Sequence, residues 1–329
     1  MPVPSSELPG SSQRDSSVFA GSGDAATEMG LVSAGIAANL NELHAIDPDQ
    51  VAGTRAARRL GPIFWIALGW FGLIVVLAVF ASVLPLKSHT APIGPPRRAP
   101  SANWWFGTDA IGRDVFSRVI WGARVSLVVG FASIVFGLLV GGTIGVVSGY
   151  LRGRVEALLM GFCDVLLSFP ALLLAVAIVS FNDSRSVVTI SLAIGVVSIA
   201  PVARLVRANT LVFAQREFVT ASRSLGASNL RIIRREILPN VIPPVMSFSI
   251  ILVAIAIVAE SGLAFLGLSV NPPNPTWGGM ISEGTRFVID GSAPWISLLP
   301  CLVLFLTVLA LNLAGDRLRQ YLDIKDGES

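Results

Sequence analysis

The stretch EFVTASRSLGASNLRIIRREILPN, Glu217 to Asn240, interrupts a chain that otherwise reads as apolar helices. Phe218, Ala221, Ser222 and Leu225 fall at i, i+3, i+4 and i+7, which predicts a short helix with one narrow apolar face. Gly226 follows where a helix commonly closes through a left-handed residue, a conformation glycine adopts without a Cβ penalty. Ser228 is placed to cap a second helix whose Leu230, Ile233 and Ile237 share a face, and Pro239 falls near its end. Arg216, Arg223, Arg231, Arg234 and Arg235 make the segment a cation-rich knob. Such a knob suits an anionic lipid surface or a groove in another protein. A lipid role does not require two helices of matched apolar phase about a glycine, so the pattern favours the groove. There each fully buried anchor would contribute roughly 1.5–3 kcal/mol.

The surrounding composition is that of an integral membrane protein. Of 329 residues, 53% are hydrophobic and only 14% charged, against about 25% charged in soluble domains; the mean hydropathy is +0.71. The net charge of +3 is too small for a nucleic-acid surface, and the arginines sit beside apolar runs and form no single basic face. Cys163 and Cys301 each lie within an apolar run, where a free thiol packs as a small hydrophobe. The lysines, Lys87 and Lys325, follow Leu86 and Ile324, so no Gly-Lys pair is available for a phosphate-binding P-loop. His44 and His89 lie outside the apolar runs, which excludes an intramembrane histidine metal or acid–base site.

Six apolar runs are long enough to cross about 30 Å of hydrocarbon at 1.5 Å per residue: about Pro62–Leu84, Val125–Val147, Ala157–Val179, Val187–Val206, Ile242–Leu268 and Trp295–Ala314. The predicted fold is therefore an all-α integral membrane protein of six transmembrane helices. Pro170 and Pro201 fall inside the third and fourth runs, where a kink is expected. Pro243 and Pro244 mark entry to the fifth. Gly130, Gly137, Gly141, Gly142 and Gly145 in the second run permit close helix contact. Residues 1–54 are rich in Ser, Gly, Ala and acids and predict a disordered tail, with helix conceivable over Met29–Leu43 and no pattern of a secretory signal. Residues 55–123 then hold the first helix and an extracytoplasmic segment, and 124–315 five further helices with the loop 208–240. Residues 316–329 form a tail.

Basic residues orient these runs. With a cytoplasmic N-terminus, the inner segments hold Arg14, Arg55, Arg58, Arg59, Arg152, Arg154, Arg204, Arg207, Arg216, Arg223, Arg231, Arg234, Arg235, Arg317, Arg319 and Lys325, two-thirds of the 24 Lys and Arg. The positive-inside rule then places both termini and Glu217–Asn240 in the cytoplasm. Two segments face outward. One, about 85–124, contains NWWFGTDAIGRDVFSRVIWGAR; the other, about 269–294, contains NPPNPTWGGMISEG, with Asn-Pro and Gly-Gly pairs that predict turns and tryptophans suited to a membrane interface. Glu260 lies toward the outer half of the fifth run, where a carboxylate is costly by about 2.5–3.5 kcal/mol at mid-membrane and less near the edge. Its candidate roles are lining of a pathway or outer gate, and structural pairing with the outer segments. Asp164, near the inner end of the third run, has no evident partner in the sequence.

The opening stretch resembles the cytoplasmic coupling loop of ABC importer permeases, with its pattern E-A-A, three residues, Gly, nine residues, I-x-L-P. Ala221, Gly226, Leu238 and Pro239 stand at the expected spacing, while Thr220, Ser222 and Glu236 replace the Glu, second Ala and Ile of that pattern. FGTDAIGRDVFSRVIWGARVSL (Phe106–Leu127), DVLLSFPALLLA (Asp164–Ala175), ESGLAFLGLSVNPPNPTWGGMISEG (Glu260–Gly284) and LNLAGDRLRQYLD (Leu311–Asp323) are similar to the C-type (DppC/OppC-like) permease subunit of dipeptide and oligopeptide importers. The resemblance covers the chain from Arg59 onward, in order.

It implies a type I ABC importer permease fold in a bacterial inner membrane. It implies as partners a second, B-type permease subunit, two ABC ATPase subunits that bind ATP and Mg, an extracytoplasmic solute-binding protein and a peptide substrate, with no cofactor in this chain. It also implies that Glu217, Phe218, Ala221, Leu225, Gly226, Leu238 and Pro239 serve coupling to an ATPase, with Glu217 a candidate substitute for the missing glutamate at 220. Nickel chelates and glutathione are alternative solutes. A stand-alone secondary transporter or channel is the competing reading, for which matched halves with broken helices or paired intramembrane charges are expected and not evident. A membrane hydrolase would need a nucleophile with a base, and the apolar runs hold no histidine.

Overall fold

The computed structural model describes residues 61–182 and 184–326. The expected tail over 1–54, its Met29–Leu43 helix and Arg55, Arg58 and Arg59 lie outside them. The helices in chain order are α1 (Pro62–Val79, extended by a 3-10 turn Phe80–Ser82), α2 (Val115–Leu151), α3 (Gly153–Leu167), α4 (Ala171–Ser180), α5 (Val187–Phe213), α6 (Glu217–Ser224), α7 (Asn229–Ile232), α8 (Leu238–Phe265), α9 (Trp277–Ile289) and α10 (Trp295–Asp326). No β-strand occurs among the described residues beyond isolated bridges at Ser101–Trp104 and Thr108–Asp114.

Five unbroken segments are long and apolar enough to cross a membrane: Pro62–Ser82, Val115–Leu151, Val187–Phe213, Asn229–Phe265 and Trp295–Tyr321. The third expected span is different. It breaks into α3 and α4, whose axes meet at 84°. Pro170, expected as a kink inside a helix, lies in the break with ψ at 126°. It cannot donate to the preceding turn and disfavours helical geometry in Phe169, so α3 ends at Leu167 and α4 restarts after it. Pro201 does stay inside α5, which is packed along its length against α2.

That α2–α5 contact is the closest in the bundle. A Cβ added at Gly141 would lie 2.4 Å from the Ile199 carbonyl oxygen, at Gly145 2.6 Å from that of Ala203, and at Gly149 2.8 Å from Cβ of Thr210. Glycine every fourth residue thus forms one stripe along α2, and the two backbones meet along it. Gly142, grouped with these glycines by sequence, faces open space, with nothing within 4 Å of its Cβ position. Its position one residue beyond Gly141 turns it off the stripe by about 100°.

Asp114 fixes where α2 begins. Its carboxylate accepts from the backbone N–H of Ser117 at 2.8 Å and the Ser117 hydroxyl at 2.6 Å, satisfying an otherwise free amide of the first turn. Trp70 of α1 donates to the Thr307 hydroxyl of α10 at 3.3 Å, tying the first and last spans together.

The 269–294 segment bears out the turn expected at its Asn-Pro pairs, over 272–274, and corrects the one expected at Gly278-Gly279. It contains α9, capped by Thr276, whose hydroxyl accepts from Gly279 N–H at 2.9 Å. Gly278 does not mark a turn: a Cβ there would lie 2.5 Å from Cα of Ser261, so the residue lets α9 press against α8. Trp277, expected at a membrane interface, is fully buried, and its indole donates to the Val119 carbonyl at 3.0 Å.

Candidate functional site

The Glu217–Asn240 segment is built by local rules that the structure makes explicit. Helix α6 ends at Ser224 with Leu225 as its capping residue, and Gly226 follows at φ +82°. Gly226 N–H donates to the Arg223 carbonyl at 3.0 Å and Ala227 N–H to the Ser222 carbonyl at 3.1 Å. These are the two bonds of a Schellman ending, and they consume the carbonyls that the last turn leaves free. Ser228 occupies the position before α7, but its side chain makes no capping bond, correcting the expected cap. The Tyr150 hydroxyl of α2 instead donates to Asn229 Oδ1 at 2.9 Å.

Helix α7 runs without a break into a π-turn, Ile233–Ile237, and then into α8, so Asn229–Phe265 is one continuous helix. Pro239, Pro243 and Pro244 are therefore inside this helix and do not separate the second short helix from the fifth span. Pro239 has no N–H to offer the Arg235 carbonyl, and its ring crowds that carbonyl in α geometry. The π-turn just before it, with Leu238 N–H donating to the Ile233 carbonyl, widens the helix where the proline enters.

The wider turn also shifts the helical phase. Leu230 and Ile237, seven residues apart, would share a face in an α-helix. Here Ile237 is fully buried while Leu230 is 62% exposed. The inward anchors are Val219, Ile232 and Ile237, packed with Val146, Tyr150, Val202, Val206, Val241 and Val245 of α2, α5 and α8. Val219 and Ile232 were missed by the sequence periodicity because they lie on the opposite side from the apolar face it selected.

Apart from Ile237 and the half-buried Ser222 and Ile233, that selected face points away from the bundle. Phe218 is 38% exposed, Leu225 89% and Leu238 36%; Glu217, Thr220, Ala221, Gly226 and Pro239 are exposed with them. The segment thus has one side locked to the spans and another free. Two departures from the coupling pattern meet across it, since the Ser222 hydroxyl donates to Glu236 Oε1 at 3.3 Å.

Next to this segment, charged pairs fasten the broken span to α5. Arg207 Nε donates to Glu156 at 2.7 Å, and Arg204 pairs with Asp164 at 2.6 Å. Asp164 therefore has the partner that sequence inspection did not find, supplied by a residue forty positions away.

Glu260 stands apart from the segment, in α8. Its side chain is fully buried, with the hydroxyls of Ser126 and Ser269 each 3.5 Å from its carboxylate. The Ser126 hydroxyl also accepts from Trp277 N–H at 3.2 Å, and that of Ser269 lies 3.0 Å from the Thr276 hydroxyl. Of its two candidate positions, the geometry matches pairing with the 269–276 segment at the start of α9.

These elements define a polytopic helical membrane protein that displays one anchored, doubly helical loop. Residues 141–325 match the family described as the binding-protein-dependent transport system inner membrane component, and the chain belongs to that family. The glutathione transport system permease protein GsiD of Pectobacterium atrosepticum is 41% identical over 226 residues, covering 69% of this chain and 74% of that protein. GsiD of Escherichia coli is 38% identical over 295 residues, covering 88% and 96%. An inward-facing structure of the MetNI methionine ABC transporter overlaps 61% of this chain and 94% of its own with a TM-score of 0.51 at 19% identity, a likeness of fold alone. The chain is thus a multi-pass permease subunit of an ABC importer of the peptide-type family, and not itself an enzyme. Members of this family act with a partner permease, ATPases and a binding protein.

Proposed function

We propose that this chain moves di- or oligopeptides across a bacterial inner membrane together with a B-type permease subunit and two ATPase subunits, and that Glu217–Asn240 is the knob by which one of those ATPase subunits drives it. One observation carries the reading: Val219, Ile232 and Ile237 are buried against the spans while Phe218, Leu225 and Leu230 remain exposed. A knob gripped on one side by the bundle and open on the other can pass a push from a docked partner to α2, α5 and α8 as a rigid body. The basic excess supports a cytoplasmic position for it and for both termini. ATP and Mg belong to the ATPase subunits, in keeping with the missing Gly-Lys pair, and an extracytoplasmic binding protein delivers the solute. Glutathione, itself a peptide, is the alternative solute, favoured by the names of the relatives above.

Gly226→Val tests the coupling role. Nothing lies within 4 Å of a Cβ at this position, so the substitution meets only a conformational penalty at φ +82°. That penalty is about 1–2 kcal/mol for an ordinary residue and larger for a β-branched one. We expect the variant to insert and retain its partners while solute-stimulated ATP hydrolysis in proteoliposomes falls about tenfold. Stimulation equal to that of the native protein would refute the role.

A further inference from the structure

We propose that the end of the bundle away from Glu217–Asn240 carries a carboxylate-binding site made by Arg118, Arg113 and Arg185. Arg118 lies in the first turn of α2 with its side chain 3% exposed. Its Nη2 donates to Glu283 Oε2 at 3.1 Å and its Nε lies 3.7 Å from Asp109 Oδ2, while Nη1 is buried with no hydrogen-bond partner. Buried polar nitrogens are nearly always paired, and a guanidinium with one edge unmatched is an unfilled half of a fork.

This side chain lines a cavity of about 230 Å³ together with Arg113, Arg185, Glu283 and the 269–276 segment. Asp109 is already committed: its carboxylate takes Arg113 Nε at 2.5 Å and the backbone N–H groups of Ile111 and Arg113 at 3.0 and 2.9 Å. Arg185 donates to the Gly267 carbonyl. Three cationic side chains therefore face one acid on the wall, Glu283. Pro272, Pro273 and Pro275 remove backbone N–H donors from the same wall, so guanidinium groups dominate recognition.

Glu283 identifies the ligand chemistry. Its Oε2 is shared by Arg118 Nη2 and Arg113 Nη2, the latter at 3.4 Å, yet its side chain is 51% exposed. An exposed carboxylate held at one oxygen is readily displaced, and a ligand carboxylate entering from the cavity could take both guanidinium edges, including Nη1. The volume admits a carboxylate with a short side chain and not a whole peptide. The free C-terminus of the solute and an acidic side chain of the binding protein both offer this group.

The test uses the assembled transporter in lipid nanodiscs. N-acetylalanine and its amide are titrated by saturation-transfer NMR against the native chain, Glu283→Gln, and Glu283→Gln combined with Arg118→Lys. Removing the internal carboxylate is expected to tighten binding of the acid at least tenfold. The amide should not bind, and the lysine, a point charge without a fork, should reverse the gain. Equal binding of acid and amide, or no gain in Glu283→Gln, overturns the proposal. Binding protein is then titrated empty, with Ala-Ala, and with Ala-Ala amide. Tightening by Glu283→Gln with the empty protein assigns the carboxylate to the binding protein, and tightening only with the free acid assigns it to the solute. A response in neither arm overturns the assignment. The inference uses the peptide reading only in this second part, so failure of that reading leaves the small-acid titration decisive.

Discussion

Gly141→Leu is expected to destabilise the bundle by roughly 3 kcal/mol, at the upper end of the range for overpacking. A Cβ at this position would lie 2.4 Å from the Ile199 carbonyl oxygen and 3.2 Å from the Ala203 nitrogen, both backbone atoms that no rotamer change can move. Relief therefore requires α2 and α5 to separate, which strips contacts along the whole stripe to Gly149. Gly142→Leu is the control, because the same side chain one residue away meets open space and should change stability by no more than about 0.5 kcal/mol. Denaturant unfolding in detergent, followed by far-UV circular dichroism, separates the two. Equal loss in both variants would contradict the close-contact assignment.

Trp277→Ala should cost a comparable amount, about 3–5 kcal/mol for emptying a buried aromatic site, with a further contribution of about 1 kcal/mol from the lost indole bond. Trp277 has no exposed surface, donates to Val119 of α2 and abuts Gly122, where a Cβ would lie 3.4 Å from its ring. It thus joins α9 to α2 beside the Glu260 carboxylate. Trp277→Phe keeps most of the volume and forfeits the hydrogen bond, so it should recover more than half of the loss. The same unfolding experiment checks both, and a cysteine introduced at the exposed Ile289 should become more reactive to thiol reagents in Trp277→Ala as α9 loosens. A harmless Trp277→Ala would return the residue to the interface role that its sequence context suggested.

Much of the architecture could be read from residues because apolar length and charge bias act locally. The runs near Pro62, Val187 and Trp295 correspond to helices, and Gly226 marks the end of α6 as its position before Ala227 and Ser228 implied. Sequence failed where tertiary context decides. Pro170 and Pro201 look alike in the chain, yet one ends a helix and the other does not, because only α5 is packed along its length. Gly278 read as a turn residue and is a contact residue. The phase of Ile237 was assigned from α periodicity, which a π-turn before Pro239 breaks. Pairing of Glu260 with the outer segments was one of two sequence expectations, and its neighbours lie on α2 and just after α8, whereas the partner of Asp164 comes from another helix and no local pattern announces it. The same holds for Ser222 and Glu236, each a departure from the coupling pattern alone and a hydrogen-bonded pair in the fold.

The central claim is that the exposed side of Glu217–Asn240 is the surface an ATPase subunit grips. Leu225→Cys, in a chain whose Cys163 and Cys301 are replaced by alanine and serine, places a thiol at the most exposed anchor of that side, 89% accessible in the isolated chain. Photo-crosslinking from this thiol in the assembled transporter should yield a permease–ATPase product as the dominant adduct. A matching thiol at Phe181, 90% exposed in the turn after α4, should yield none. Lipid adducts alone at position 225, with the ATPase subunits present and hydrolysing ATP, would contradict the account.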